Sequence, residues 1–263
     1  MSVRIAHLSD IHFGGELADA VEASVAAVAM FEPTLVAVTG DITLNGLPRE
    51  FRAAKAWLAR LPTPQLSTPG NHDTPYWNIP LRALNPFARY RRYIGPASAA
   101  SFDTPDLAVR AVNSSRGAQP RPDWSKGAIG LGQLKRLNWG EAGKVRVFAC
   151  HHPLVDIQGA PVTGGVRRGA AATTILANQG VDLVLTGHVH VPFALPLTLA
   201  TEGCYAVGAG TLSQRTRGSP PSFSTIVAED DAFEVTVRAW TGSAFEAAQV
   251  WRLPRRGPTA SAS

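Results

Sequence analysis

Five short polar segments, "SDIH", "TGD", "GNHD", "CHHP" and "GHVH", each follow an apolar run. That arrangement constrains the fold more than any other feature of the chain. Short apolar runs bounded by turn residues read as buried strands, so each polar segment closes a strand. "VRIAHLS", "TLVAVTGD" and "PQLSTPGN" read as three such strands. Between them, "ELADAVEASVAAVAMF" places Leu17, Val21, Val25 and Val28 at helical spacing, and "PREFRAAKAWLARL" places Phe51, Ala54 and Leu58 on one face behind an early Pro48. Strand, helix, strand, helix, strand predicts an α/β fold with parallel strands and helices packed on them.

The alternation resumes with "LAVRAVN", "VRVFACH" and "VDLVLTGH" as strands and "LGQLKRLNWG" and "RRGAAATTILANQG" as helices. The last third reads as antiparallel strands: "GCYAVGAG", "FSTIVAED", "AFEVTVRAW" and "AFEAAQVWRL", with a hairpin at "VAEDDAFEV". Residues 1–253 are expected to form one domain. Residues 74–106, rich in Pro, aromatic residues and Arg, read as an insertion on the substrate side, and 254–263 as a disordered tail.

Histidines fall at the strand ends. Of the 7 His, six (His12, His72, His151, His152, His188 and His190) lie at or just after a strand terminus, together with Asp10, Asp41, Asn71 and Asp73. Ligands bind at this edge of open α/β sheets. Imidazole and carboxylate suit divalent ions such as Mn, Fe and Zn. "DIH" and "HVH" each space two polar side chains two apart, on one side of an extended segment. Seven ligand groups are too many for one tetrahedral ion and fit two if one carboxylate bridges. His7, inside a strand, is expected to pack in the core.

Composition narrows the class. The chain has 263 residues, 45% hydrophobic and 17% charged, enough for one substantial core. Its 2 cysteines, Cys150 and Cys204, sit in apolar runs and can build neither a disulfide framework nor a thiolate zinc site. The N-terminus lacks the pattern of a secretory signal, and no apolar run reaches membrane-helix length, so a cytoplasmic protein with no membrane partner is expected. The net charge of +5 comes largely from "RYRRY" and the C-terminal tail. In "NPFARYRRYIG", Phe87, Tyr90 and Ile94 have helical spacing, which favours a core-covering helix over a nucleotide platform.

The ordered set of five segments resembles the binuclear metallophosphoesterases, or calcineurin-like phosphoesterases: D-x-H, then G-D, G-N-H-D/E, H, and G-H-x-H. The resemblance implies a four-layer α/β/β/α sandwich with a dimetal site at the C-terminal edge of the strands. It implies one divalent ion held by Asp10, His12 and His190, a second by Asn71, His151 and His188, and Asp41 bridging them. It makes His72 a general acid, or a charge stabiliser, at the leaving oxygen, with Asp73 holding its ring. His151 is the expected ligand of "HHP", with His152 behind it. Arg167 and Arg168 open a helix; solvated arginines are slightly favoured there over a phosphate contact.

Within the family, "GDITLNG" and "PGNHD" depart from the protein Ser/Thr phosphatases, and His72 departs from the lipid A precursor hydrolases, which carry Arg there. The chain looks most like the bacterial cyclic-nucleotide and glycerophosphodiester phosphodiesterases. A small-molecule or nucleotide diester is the substrate this implies, and an oligomer is compatible with it. A nuclease, suggested by the basic charge, is the alternative. A non-catalytic scaffold is the weaker one, because every ligand and His72 are retained.

Overall fold

The computed structural model describes residues 2–120, 123–157, 159, 166–198 and 202–256. The first three parallel strands are β1 (Val3–Leu8), β2 (Leu35–Val38) and β3 (Gln65–Ser67), linked by helices α1 (Ala18–Phe31) and α2 (Pro48–Leu58). Three antiparallel strands, β10 (Ser222–Ala228), β11 (Ala232–Trp240) and β12 (Phe245–Pro254), extend this sheet, in the order β12-β11-β10-β1-β2-β3. The second sheet is built around parallel β5 (Leu107–Val112), β6 (Val145–Ala149), β7 (Leu183–Thr186) and β9 (Tyr205–Gly208). Its edges are β4 (Ala99–Asp103) and β8 (Phe193–Pro196), both antiparallel to their neighbours.

Side chains alternate between two cores, as the period of two along a strand requires. Ile5, Leu35, Ala37, Val147, Leu183 and Leu185 fill the space between the sheets. Ala6, Leu8, Val36 and Val38 turn the other way, onto α1, α2 and α4 (Ala88–Tyr93). Phe148 and Val184 turn from the second sheet toward α5 (Leu131–Leu134) and α6 (Gly169–Asn178). These layers are the expected α/β/β/α sandwich. The parallel strands of both sheets end on one side, where the motif residues emerge.

The structure departs from the sequence reading in four places. β9, read as part of the antiparallel tail, pairs in parallel with β7. β4, β8 and α3 (Ile79–Leu84) are additional elements. Only the start of 74–106 faces the site; Phe87 and Tyr90 are buried, and β4 is a sheet edge. The tail is ordered past 254: Pro254 ends β12, and Arg255 and Arg256 donate to the carbonyls of Glu229 and Val181. Residues 257–263 lie outside the described residues. His7 is buried, with Nε2 2.9 Å from Thr39 Oγ1, and both cysteines are free and buried. Among the described residues no helix is long and apolar enough to cross a membrane.

Candidate metal centre

Each motif residue reaches the site by a sharp departure from its strand. Asp10 (φ 54°), His12 (φ 52°), Asp41 (φ 48°), His188 (φ 71°) and His190 (φ 64°) all adopt left-handed backbone. For residues with a Cβ this costs of order 1–3 kcal/mol each and persists only where surrounding structure enforces it. The "DIH" and "HVH" pairs therefore converge through left-handed turns, and not along the extended segments that their spacing suggests. Backbone bonds between the loops hold these turns: Asp10 N–H to Gly40 O (3.0 Å), His12 N–H to Asp41 O (3.0 Å) and Gly187 N–H to His151 O (2.9 Å).

Glycines permit the loops to pack this closely. A Cβ on Gly70 would lie 2.1 Å from Asp41 Oδ1 and 2.3 Å from its amide nitrogen. A Cβ on Gly187 would lie 1.8 Å from Ser9 Oγ and 2.4 Å from Asp10 Oδ2. Gly70 is needed for close approach, since its φ is not in the left-handed range.

The centre is a set of facing acceptors. His151 Nδ1–H donates to Thr39 O (2.8 Å), so Nε2 is the nitrogen turned toward the centre. That nitrogen lies 3.2 Å from Asp41 Oδ2 and 3.2 Å from Asn71 Oδ1. His190 Nδ1–H donates to Arg215 O (2.6 Å), and its Nε2 lies 3.1 Å from both His12 Nε2 and Asp10 Oδ1. Among the described residues, Asp10 Oδ1 and His188 Nε2 are buried without a hydrogen-bond partner. Lone pairs this close repel unless a positive species, a proton or a metal ion, sits between them. Imidazoles whose second nitrogen donates to a backbone carbonyl are the usual form of metal ligands.

The electrostatics divide the histidines. Burial pushes His12 and His188 down to about 3, which keeps them neutral and able to bind metal. Burial also opposes charge on His151, but the Asp41 carboxylate, the contact with it and the Asp10 charge outweigh it and lift the ring to about 9. Burial opposes charge on the two carboxylates as well; His190 and His151 nonetheless hold Asp10, and His151, His72 and His12 hold Asp41, below the usual range. Asp10, His12 and His190 form one group able to hold an ion; Asp10, Asp41 and His151 form another, His151, His152 and His188 a third, and His12, Asp41 and His72 a fourth. All donors are nitrogen or oxygen, a set that fits divalent ions without thiolate.

His152 and Asp73 both spend their polar atoms away from the centre. His152 has both ring nitrogens occupied, Nδ1 by Ser114 Oγ (2.8 Å) and Nε2–H by Ser125 O (2.6 Å), which leaves His151 as the residue facing Asp41 and Asn71. Asp73 does not hold the His72 ring. Its Oδ1 accepts from Thr43 N–H (2.8 Å) and Thr43 Oγ1 (2.9 Å), and its Oδ2 from Gly70 N–H (2.9 Å) and Ile42 N–H (3.3 Å). Burial, then the Asp41 charge, lift its carboxyl to about 7 against these bonds. The His72 ring is held instead by Leu44 O, which accepts from Nδ1–H at 2.6 Å. His72 N–H donates to Asp41 Oδ1 at 2.7 Å, so the residue sits directly on the centre. Arg167 and Arg168 are exposed beside α6 and have no contact with the centre among the described residues.

Arg215 is a site residue the sequence reading missed. Its Nη1–H donates to His72 Nε2 (3.1 Å), while its carbonyl holds His190. Arg217 donates to His188 O (3.3 Å). The signal was present: "SQRTR" also follows an apolar strand, β9, but Ser, Thr and Arg there read equally as an ordinary loop.

The calcineurin-like phosphoesterase model matches residues 3–192. A Synechococcus protein named "Probable cyclic nucleotide phosphodiesterase" is 26% identical over 220 residues, covering 78% of this chain and 81% of that one. A dimetal phosphatase from Danio rerio superposes with a TM-score of 0.69 at 13% identity, covering 97% of this chain and 99% of that one. Purple acid phosphatase PPD1 from yellow lupin seeds also gives 0.69, at 12% identity, covering 97% of this chain and 54% of its own. These two likenesses show the fold. With the family model spanning most of the chain and the donor cluster in place at the strand ends, the chain belongs to the calcineurin-like phosphoesterase family of metal-dependent phosphoester hydrolases.

Proposed function

We propose that the protein is a phosphodiesterase acting on a small-molecule or nucleotide diester. The observation that carries this reading is the facing of His151 Nε2, Asp41 and Asn71 at 3.2 Å, beside the His12, His190 and Asp10 group. Asp10, His12 and His190 would hold one divalent ion, Asn71, His151 and His188 a second, and Asp41 both; Mn, Fe and Zn suit these donors. Two ions so held supply a water of lowered pKa and neutralise charge on the phosphoryl oxygens.

The chain's own residues do the rest. His72 stands over the centre with Nδ1–H fixed on Leu44 O, so any exchange with a leaving oxygen occurs at Nε2. Arg215 occupies that nitrogen as a donor in this structure. A substrate phosphate, as a stronger acceptor, would draw the guanidinium onto itself and free Nε2 for the leaving group. A cavity opens beyond Asn71, His72 and Arg215 and leaves room for a bulky ester substituent. The Synechococcus relative's name points the same way.

The test is turnover of bis-p-nitrophenyl phosphate against p-nitrophenyl phosphate by metal-stripped protein reloaded with Mn²⁺. Diester turnover is expected to exceed monoester turnover. A monoester preference of about tenfold or more, held across several leaving groups, defeats the reading.

A further inference from the structure

The cavity beside the centre is about 640 Å³, within the range of sites that enclose a small organic ligand. On the metal side it is bounded by Asn71, His72 and Arg215; on the far side by Tyr76, Trp77 and Trp124. Trp77 is 74% exposed and Tyr76 47%, and their rings meet only edge to face, with centroids 5.0 Å apart. Rings this large gain most by burial, so leaving their faces in solvent at a cavity mouth forgoes stability that the fold itself does not recover.

The Tyr76 and Trp124 part of the wall is nevertheless backed. Arg82 is buried behind it, with Nε–H donating to Gly117 O (2.9 Å) and its guanidinium 5.4 Å from the Trp124 ring centre and 5.9 Å from that of Tyr76. Trp124 is tied to the centre through its neighbour: Ser125 O accepts from His152 Nε2–H (2.6 Å), and the His152 ring packs edge-on against His151 (4.9 Å). Trp124 and the centre thus keep a set spacing, and Trp77 joins this wall through its edge contact with Tyr76. One rim supplies a cation beside the reacting phosphate, and the other supplies flat π faces.

We infer that this cavity is the subsite for a nucleobase, with the base stacked on Trp77 and Trp124 while Arg215 takes the phosphate. The inference rests on the phosphodiesterase reading and names its substrate class as nucleotide esters. Stacking on an aromatic side chain suits any base, because each has a π face, and truncating such a ring costs about 1–3 kcal/mol, or roughly five- to 150-fold in affinity. An alkyl or glycerol substituent offers no such face.

The experiment measures binding of AMP and of ribose 5-phosphate, which lacks the base, to Mn²⁺-loaded protein at one salt concentration. AMP is expected to bind tighter by about tenfold or more. Trp77→Ala and Trp124→Ala should each shrink that ratio to a few-fold, with ribose 5-phosphate affinity reporting that the phosphate site is intact, and Trp77→Phe should restore most of it. Equal affinities in the unmodified protein, or an unchanged ratio in both Trp→Ala variants, overturn the subsite. The phosphodiesterase reading fails separately, by the diester and monoester assay. AMP selectivity that depends on Trp77 without diester turnover would keep the subsite and remove the activity.

Discussion

The floor of the site and its wall sit side by side and obey different rules. On the floor, His151 Nε2 and Asn71 Oδ1 lie 3.2 Å apart, and His12 and His190 Nε2 atoms 3.1 Å apart, on loops that put five of the seven expected ligands into left-handed backbone. Only a proton or a metal ion between them relieves that arrangement, so the chemistry dictates nearly every residue type. On the wall, Tyr76 and Trp77 extend into solvent from the segment leading to α3 and line the cavity. The difference teaches where information resides: ligand chemistry allows few residue types, whereas a stacking surface accepts any large ring. Substitutions on the floor should therefore remove the activity, and substitutions on the wall should only redirect it.

The largest effect belongs to Asp41. Its carboxylate faces His151 at 3.2 Å and His12 at 3.9 Å, between the two groups of donors. Asp41→Ala should lower metal content from about two ions per chain to less than one and take turnover of every ester to background. Metal analysis and assay on the same reconstituted sample check this. Full metal content with near-normal turnover would mean that the floor is not a cation cage, and the contrast with the wall would collapse.

That contrast also explains what the sequence discloses. β1, β2, β6 and β7 are legible because strands buried on both faces read as apolar runs. β4 is not: "AASFD" is a half-exposed sheet edge next to a Pro- and Arg-rich stretch. α3 is hidden by Pro80 inside a six-residue helix that the Asn78 side chain caps. The parallel pairing of β9 with β7 is a long-range choice that no local pattern carries. In the site, the donor types are legible, but the left-handed turns that aim them are not. The resemblance makes Asp73 the holder of the His72 ring, while the chain turns its carboxylate toward Ile42, Thr43 and Gly70. Arg215 is 143 residues from His72 and belongs to none of the five segments.

His72 stands where floor meets wall, and its removal sharpens the comparison. It is not among the expected ligands, so His72→Ala should retain both ions. If its Nε2 serves the leaving oxygen as an acid, the loss should depend on how much that oxygen needs a proton. Turnover of diesters with alkoxide leaving groups should fall by roughly two to four orders of magnitude. Loss on p-nitrophenyl esters, whose phenolate leaves unaided, should be clearly smaller. Equal losses on both would make His72 a charge stabiliser paired with Arg215, and lost metal would move it onto the floor.

The smallest effect is expected at Asp73, which lies under the floor. Both its oxygens accept, one from Thr43 and the other from Gly70 and Ile42. In Asp73→Asn one of them becomes an NH₂ that faces N–H donors whichever way the amide turns. Such a buried mismatch costs about 1–3 kcal/mol, which for a chain of this size lowers Tm by roughly 2–12 °C. Gly70 packs directly on Asp41, so a loosened loop should reach the floor through Asp41 and not through the His72 ring, which Leu44 holds independently. Turnover should therefore decline by the same modest factor on good and poor leaving groups. A loss concentrated on poor leaving groups would show instead that Asp73 governs His72 after all, the relation that the family resemblance implies and the hydrogen bonds contradict.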